Sequence, residues 1–212
     1  MGGREFVNFE GSAAGAVPFS TDFSQSCNTA FVSLTDELES TALRDTGELF
    51  GLGIDPDLKL DAFGGKVPPG KDETEEAAAM IGQARILASP LAMAGVAATV
   101  QAGEWHKPRL AADDPEEAGE PLGPQRANEL RTLMRSVVTT GTGTALAAVP
   151  GEPIGKSGTA EFGTAVPPKT HAWFIAARDD VAVAVLVEEG TSGGEVAAPI
   201  VAEFLTALPI EP

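Results

Sequence analysis

A Gly-Lys-Ser triplet stands inside the stretch PGEPIGKSGTAEF, Pro150 to Phe162. Such a lysine and hydroxyl can bind phosphate in a P-loop, or can serve another reaction that needs positive charge and a hydrogen-bond donor. A P-loop reads G-x-x-x-x-G-K-[ST], and its first glycine would fall on Pro150. Gly158 and Gly163 also interrupt the helix that a P-loop requires after its lysine. Nucleotide hydrolysis is therefore a minor alternative, which measured nucleotide binding would revive.

A second polar triplet, Ser26-Cys27-Asn28, lies between two predicted helical stretches. Taken alone, Ser26 and Asn28 are most simply helix-capping residues that satisfy free backbone N–H groups. Lys156 alone is most simply a strand lysine whose stem covers apolar surface, and Cys27 a small apolar packing residue. Any chemistry assigned to these residues therefore depends on the sequence around them.

The composition excludes several classes of function. The 31 acidic residues outnumber the 14 basic ones and give a net charge of −17, which would repel nucleic acid and anionic membrane surfaces. The lone Cys27, with only His106 and His171 beside it, cannot supply a disulfide framework or a structural zinc site, so we expect no metal. The longest apolar run, 86–100, is shorter than the roughly 20 residues of a membrane-spanning helix. We find no signal-peptide pattern at the N-terminus.

Hydrophobic periodicity predicts mainly helices in residues 1–150. The predicted helices are one carrying Phe31, Leu34, Thr35 and Leu38, then Thr41 to Phe50, an acidic helix starting at 72–76, Pro90 to Ala102, and one carrying Leu130, Leu133, Met134, Val137 and Val138. Segments 51–72 and 107–124 are rich in Gly, Pro or acidic residues and are predicted to be loops.

The last third of the chain changes to strand periodicity. Three antiparallel strands are predicted, Ile154 to Glu161, Ala172 to Ala177 and Val181 to Val187, with a tight hairpin turn at Arg178-Asp179-Asp180 between the last two. A final helix, Glu195 to Leu208, is predicted to cover one face of the sheet with one stripe: Val196, Ile200, Val201, Phe204 and Leu205. This order of elements predicts an α+β fold.

Several segments together resemble the transpeptidase domain of penicillin-binding proteins, relatives of the serine β-lactamases. In chain order they are NFEG, FSQSCNTAF, IGQARILASPLAMAGVAATVQAGEWHKPRL, VVTTGTGTAL, GKSGTAEF and HAWFIAARDDVAVAVLVEEG. Arg85 stands where the family more often has glycine. The resemblance implies an antiparallel sheet covered by helices plus an all-helical subdomain. It also implies one domain over 1–212, with a mainly helical part, 1–150, and a part with the sheet and C-terminal helix, 151–212.

The same resemblance implies a penicillin-binding D,D-transpeptidase of peptidoglycan synthesis. Such an enzyme transfers the acyl group of stem peptides ending in D-Ala-D-Ala, is acylated by β-lactams and needs no cofactor. Ser26 and Lys156 would be catalytic, Ser26 relaying a proton and Lys156 supplying positive charge beside it. Substrate would be bound by four residues: Asn28 at its amide, Ser157 at its carboxylate, Gly158 by allowing close approach, and the Thr159 N–H at the oxyanion.

One part of the family pattern does not occur in the chain. The nucleophile belongs to an S-x-x-K motif upstream of S-x-N, and no serine here is followed by lysine three positions later. We therefore expect a domain incomplete at its N-terminus and inactive alone, with apolar strand faces left exposed. Export to the extracytoplasmic face of the membrane, and any membrane contact, would depend on a segment absent here. A truncated, non-catalytic binding module is the alternative, and a carboxypeptidase or β-lactamase outcome stays open.

Overall fold

The computed structural model describes residues 1–12 and 15–209. Within them lie seven α-helices: α1 Phe19–Gln25, α2 Asn28–Ser33, α3 Ala42–Leu49, α4 Glu73–Ala79, α5 Pro90–Ala102, α6 Pro124–Thr140 and α7 Ala198–Ala207. The strands are β1 Ile154–Phe162, β2 Lys169–Arg178 and β3 Val181–Val187. Short 3-10 turns occur at Phe9–Gly11, Leu34–Glu37 and Thr144–Leu146, and a wider π turn, Gly193–Ala197, leads into α7.

The three strands form one antiparallel sheet in the order β1-β2-β3. Asp179 takes a left-handed conformation (φ 54°) in the turn that joins β2 to β3, as the predicted hairpin requires. Both β1 and β2 run further than predicted at the opposite end. There Phe162 stacks on His171 with ring centroids 3.9 Å apart, a cross-strand contact that extends the pairing beyond the apolar residues.

Helices cover both faces of the sheet. On one face Phe174 and Ala176 pack against Val201 and Leu205 of α7, all of them buried. On the other face the buried residues come from β1, β2, α5 and α6. They are Ile154, Ile175, Ala177, Ala97, Val100 and Met134. The prediction of an α+β fold is confirmed. The expected exposure of the strand faces is wrong for β2, and only β3 is partly exposed along its whole length.

Helix α7 differs from its prediction in where it starts and in how it packs. Its regular part begins at Ala198, because the π turn occupies the predicted first residues. Val201 and Leu205 are fully buried, whereas Ile200 and Phe204 are 46% and 45% exposed. The predicted single stripe is therefore split, and only one side of it faces the sheet. The buried Arg178 donates to the Leu205 carbonyl and ties the end of α7 to the hairpin.

Helices α5 and α4 begin where their local sequence signals predict. The Ser89 hydroxyl accepts a hydrogen bond from the Ala92 N–H at the start of α5, and Gly103 ends that helix with φ 93°. Asp72 caps α4 in the same way by accepting from Glu75 N–H. The predicted first helix is instead interrupted, because a 3-10 turn follows α2, and Leu38 is 48% exposed. No described helix is long and apolar enough to cross a membrane.

Candidate active site

Ser26 lies at the C-terminal end of α1 in a left-handed conformation, with φ 58° and ψ 48°. This region is uncommon for a residue with a side chain, and surrounding contacts must hold the serine there. The backbone N–H of Cys27 donates to Asp22 O at 2.8 Å and closes the end of the helix. The turn thus directs the Ser26 side chain away from α1 and toward β1.

Lys156 reaches Ser26 across 130 positions of the chain. Its Nζ donates to Ser26 Oγ at 2.7 Å and to the backbone carbonyl of Ser157 at 3.0 Å. The same Nζ lies 5.8 Å from the centroid of the Phe23 ring. The ammonium group is thus hydrogen-bonded within the protein. This differs from a strand lysine whose stem covers apolar surface while its charged end stays in water. Its removal from water lowers the pKa of Lys156 to about 8.

Ser157, Gly158 and Thr159 follow Lys156 along β1. Ser157 Oγ lies 2.6 Å from Thr142 Oγ1, and Thr159 O accepts from the Gln83 side chain at 3.3 Å. Because β2 pairs with only one side of β1, the bond from Gln83 shows that Thr159 O points to the free edge. The N–H and C=O of one strand residue point to the same side, so Thr159 N–H faces that edge as well.

Gly158 lies where three segments meet. It pairs with Trp173 of β2, and the π turn approaches it from one face of the sheet. A Cβ atom added at Gly193 would lie 2.0 Å from Trp173 O and 2.5 Å from Gly158 O. The Gly193 N–H also reaches Thr159 Oγ1 at 3.4 Å. The backbone of β1 is therefore fixed at the residues that follow Lys156.

Asn28 is the first residue of α2, and its side chain points to the N-terminal segment. Its Nδ2 donates to Val7 O at 3.1 Å, and no hydrogen bond joins it to β1 among the residues described. One of the first free N–H groups of α2, that of Thr29, donates instead to Asn8 Oδ1. Cys27 Sγ donates to the same Asn8 Oδ1 at 3.4 Å. Ser26 is thus the C-terminal cap of α1 through its backbone, but neither its side chain nor that of Asn28 satisfies a free helix N–H group.

The sequence does not predict two hydrogen bonds of β1, those with the side chains of Gln83 and Thr142. Both lie in segments that resemble the family, IGQARIL and VVTTGTGTAL, but no local pattern gives them a partner. Their partners on β1 are 76 and 15 positions away. Only the tertiary fold brings Gln83, which follows α4, and Thr142, which follows α6, to this strand.

The two histidines lie at the edge of this arrangement or outside it. His171 stacks on Phe162, and its Nδ1 lies 2.7 Å from Glu188 O. His106 is on the loop after α5, 3.3 Å from Glu104. Within the described part of the chain, no group of three or more His, Cys, Asp or Glu side chains could hold a metal ion.

Ser26-Cys27-Asn28 forms an S-x-N turn that lies against the K-S-G strand, and the similarity to known proteins extends over nearly the whole chain. The sequence model of the penicillin-binding protein transpeptidase domain matches residues 4–206. The chain therefore belongs to the penicillin-binding protein transpeptidase domain family.

Three relatives show how far this similarity extends. Peptidoglycan D,D-transpeptidase PbpA of Mycolicibacterium smegmatis is 36% identical over 224 residues, covering 91% of this chain and 45% of that protein. An imipenem acyl-enzyme complex of Mycobacterium tuberculosis penicillin-binding protein A is 31% identical with a TM-score of 0.79, covering 95% of this chain and 51% of that one. A Helicobacter pylori complex of PBP2 with MreC shares the fold at 21% identity and a TM-score of 0.84, covering 97% and 42%. The chain thus spans less than half the length of the curated relatives it matches.

Proposed function

We propose that these residues form the S-x-N and K-S-G part of the active site of a D,D-transpeptidase that crosslinks peptidoglycan. Its substrates are stem peptides ending in D-Ala-D-Ala, and β-lactams bind the same site. One observation carries the proposal: Lys156 Nζ lies 2.7 Å from Ser26 Oγ. Two short motifs far apart in the sequence therefore meet, and the lysine has a depressed pKa suited to proton transfer.

In this proposal Ser26 and Lys156 act on a proton. A hydroxyl held by an ammonium group can pass a proton to a leaving amine and recover it through the lysine. Because the pKa of Lys156 is about 8, the lysine exchanges a proton more easily near neutral pH than an ordinary lysine does. The positive charge of the protonated form also attracts an anionic substrate.

Substrate binding is assigned to the strand and to Asn28. The free edge of β1 offers Thr159 N–H to a developing oxyanion, and Ser157 offers its hydroxyl to a carboxylate. At Gly158 no side chain obstructs a substrate that approaches the strand. Asn28 would bind the substrate amide after its side chain exchanges the bond to Val7 O, or through its oxygen atom.

These residues bind and polarise a substrate but do not supply the nucleophile. No serine of the chain is followed by lysine three positions later, so acylation requires a serine and lysine from outside these 212 residues. We propose that the chain alone is inactive. The absence of the motif also favours one alternative, a non-catalytic module that binds the same ligands without turnover.

Intact-mass spectrometry after incubation with a penicillin tests the proposal. The samples are this chain and a version extended upstream to include an S-x-x-K motif. We expect only the extended chain to gain the mass of one β-lactam. Mass gained by the short chain and abolished by Ser26→Ala would contradict the missing nucleophile, and an extended chain that gains none would favour the non-catalytic module.

The location of the reaction is part of the same proposal. The family acts in cell-wall synthesis, and peptidoglycan is assembled outside the cytoplasmic membrane, so we propose that the site works on the extracytoplasmic face. A protein partner such as MreC is seen with the Helicobacter pylori relative. The net charge of −17 argues against nucleic acid as a partner here.

A further inference from the structure

Thr142 contacts the proposed carboxylate-binding serine although neither short motif contains it. It lies just after α6, and its Oγ1 is 2.6 Å from Ser157 Oγ, a normal distance for a hydrogen bond between hydroxyls. Either oxygen can be the donor. Both side chains are partly buried, so few waters compete for this bond.

The backbone of Thr142 is held from two sides. Its N–H donates to Ser24 O at 3.1 Å, two residues before Ser26. A Cβ atom on Gly141 would lie 2.2 Å from Ser24 O, and one on Gly194 would lie 2.4 Å from Thr142 O. Thr142 is therefore wedged between the end of α1 and the π turn. Its backbone cannot shift away from Ser157 without moving one of these elements.

Counting donors shows what this contact does when an anion binds. A hydroxyl has one proton to donate, and a carboxylate can only accept. If Ser157 donates to Thr142, it has no proton left for a carboxylate. If Thr142 donates to Ser157, the Ser157 proton is free to point into the site. Ser24 O, 3.5 Å from Thr142 Oγ1, competes only weakly for the threonine proton.

We propose that Thr142 is a positioning residue that orients the Ser157 hydroxyl toward the substrate carboxylate. In the bound state Thr142 donates to Ser157, and Ser157 donates to the carboxylate. This inference rests on the proposed function, since it assigns the carboxylate to Ser157. It adds a residue that sets how well the site distinguishes a free C-terminal carboxylate from an uncharged end.

Binding of N-acetyl-D-Ala-D-Ala and of its C-terminal amide to the 212-residue chain tests the inference. Dissociation constants from ligand-observed NMR would be compared for the wild type, Thr142→Val and Thr142→Ser. Valine keeps the shape and removes the hydroxyl, whereas serine keeps the hydroxyl. We expect Thr142→Val to weaken binding of the acid about tenfold and to leave the amide unchanged, and Thr142→Ser to stay within about twofold of the wild type.

Two further variants separate positioning from a structural effect. Thr144→Val makes the same change at an exposed position two residues away and should alter neither ligand. In a Ser157→Ala background Thr142→Val should have no further effect, because Thr142 acts through Ser157. Thermal unfolding verifies that each variant folds, and Thr142→Ala replaces the valine variant if that one does not.

The outcomes distinguish the two levels of the proposal. A wild-type chain that prefers the acid, with Thr142→Val retaining the full preference, overturns the role of Thr142 and leaves the carboxylate site in place. A wild-type chain that binds acid and amide equally, or binds neither, overturns the carboxylate site and the role of Thr142 with it. Loss of both ligands in Thr142→Val with unchanged stability would also contradict orientation of Ser157.

Discussion

Lys156 carries a positive charge that no carboxylate neutralises through an ion pair among the residues described. Its hydrogen bonds go to a hydroxyl and to a backbone carbonyl, which are neutral groups. Burial without a counter-ion is the only cause of its lowered pKa, which falls to about 8. The site therefore keeps its charge available for an anionic ligand, at a cost to the stability of the fold.

That cost predicts a dependence of stability on pH. The folded pKa of about 8 lies below the ordinary lysine value of 10.5, so the unfolded chain binds more protons between these two pH values. Below pH 8 the buried charge of Lys156 lowers the free energy of unfolding. This free energy increases as the pH rises from 8 to 10.5. We expect a gain on the order of 2 to 3 kcal/mol relative to Lys156→Met, measured by urea unfolding at pH 7 and pH 10.

Lys156→Met is the control for all other titrating groups, because they are present in both proteins. Ser26→Ala, which removes the hydrogen-bond acceptor and keeps the lysine, should retain the gain with pH. A difference between wild type and Lys156→Met that stays constant from pH 7 to pH 10 would show that the lysine is not desolvated in the folded protein.

At the scale of residues the sequence predicts candidate site residues, and their roles stay predictions, but it does not predict their contacts. Ser26 and Lys156 were predicted as partners only through the family resemblance, because no local pattern relates residues 130 positions apart. Gln83 and Thr142 carried no signal, since a lone Gln or Thr fits many surroundings. The conformation of Ser26 could not be predicted either, because tertiary contacts hold that serine in the left-handed region.

At the scale of elements, β1 is positioned by segments on its face and at its free edge. The loop after α4 binds Thr159 through Gln83, and the π turn before α7 lies against Gly158. The close approach at Gly193 leaves no room for a side chain, because the nearest atoms belong to the backbones of β1 and β2. This turn therefore controls the position of the strand that carries Lys156.

Gly193→Ala should consequently be strongly destabilising. The added methyl group would lie 2.0 Å from Trp173 O, and backbone atoms cannot rotate away as a side chain can. We expect a loss of about 3 kcal/mol in the free energy of unfolding, at the upper end of the range for overpacking. Urea unfolding measures this loss.

Gly95→Ala is the matched control for this substitution. Gly95 lies within α5, and an added Cβ would meet nothing within 4 Å. The same change should therefore stabilise the protein by about 0.5 to 1 kcal/mol, because alanine is the better helix former. Equal effects of the two substitutions would contradict the close packing of the π turn on the sheet.

Elements with strong local signals could be predicted from the sequence, and those shaped by contacts could not. The range Pro90–Ala102 of α5 was predicted correctly because Ser89, Pro90 and Gly103 mark its ends. The predicted start of β2 at Ala172 is too late, because Lys169 and Thr170 pair through the backbone and show no apolar alternation. In α7 the sequence predicts one buried stripe, although helix packing buries only Val201 and Leu205 of that stripe fully.

At the scale of the whole molecule, the excess of acidic residues opposes the compact state. The net charge is −17, and the acidic residues include those of the loop 113–120. Several of them form ion pairs at the surface, such as Lys107 with Asp57 and with Glu117. Exposed pairs of this kind contribute about 0 to 1 kcal/mol each, whereas the repulsion acts between all the unpaired carboxylates.

Salt screens both the attraction in the ion pairs and the repulsion between the carboxylates. The larger of the two decides whether added salt raises or lowers the stability. Because repulsion outweighs a few exposed pairs, we expect the thermal midpoint at pH 7 to rise by several degrees between about 20 mM and 300 mM sodium chloride. Near pH 4.3, the isoelectric point of the sequence, the net charge vanishes and the same salt should change the midpoint little. This comparison separates screening from other actions of salt, which do not depend on net charge. A midpoint that falls with salt at pH 7 would mean that the surface ion pairs contribute more than the repulsion costs.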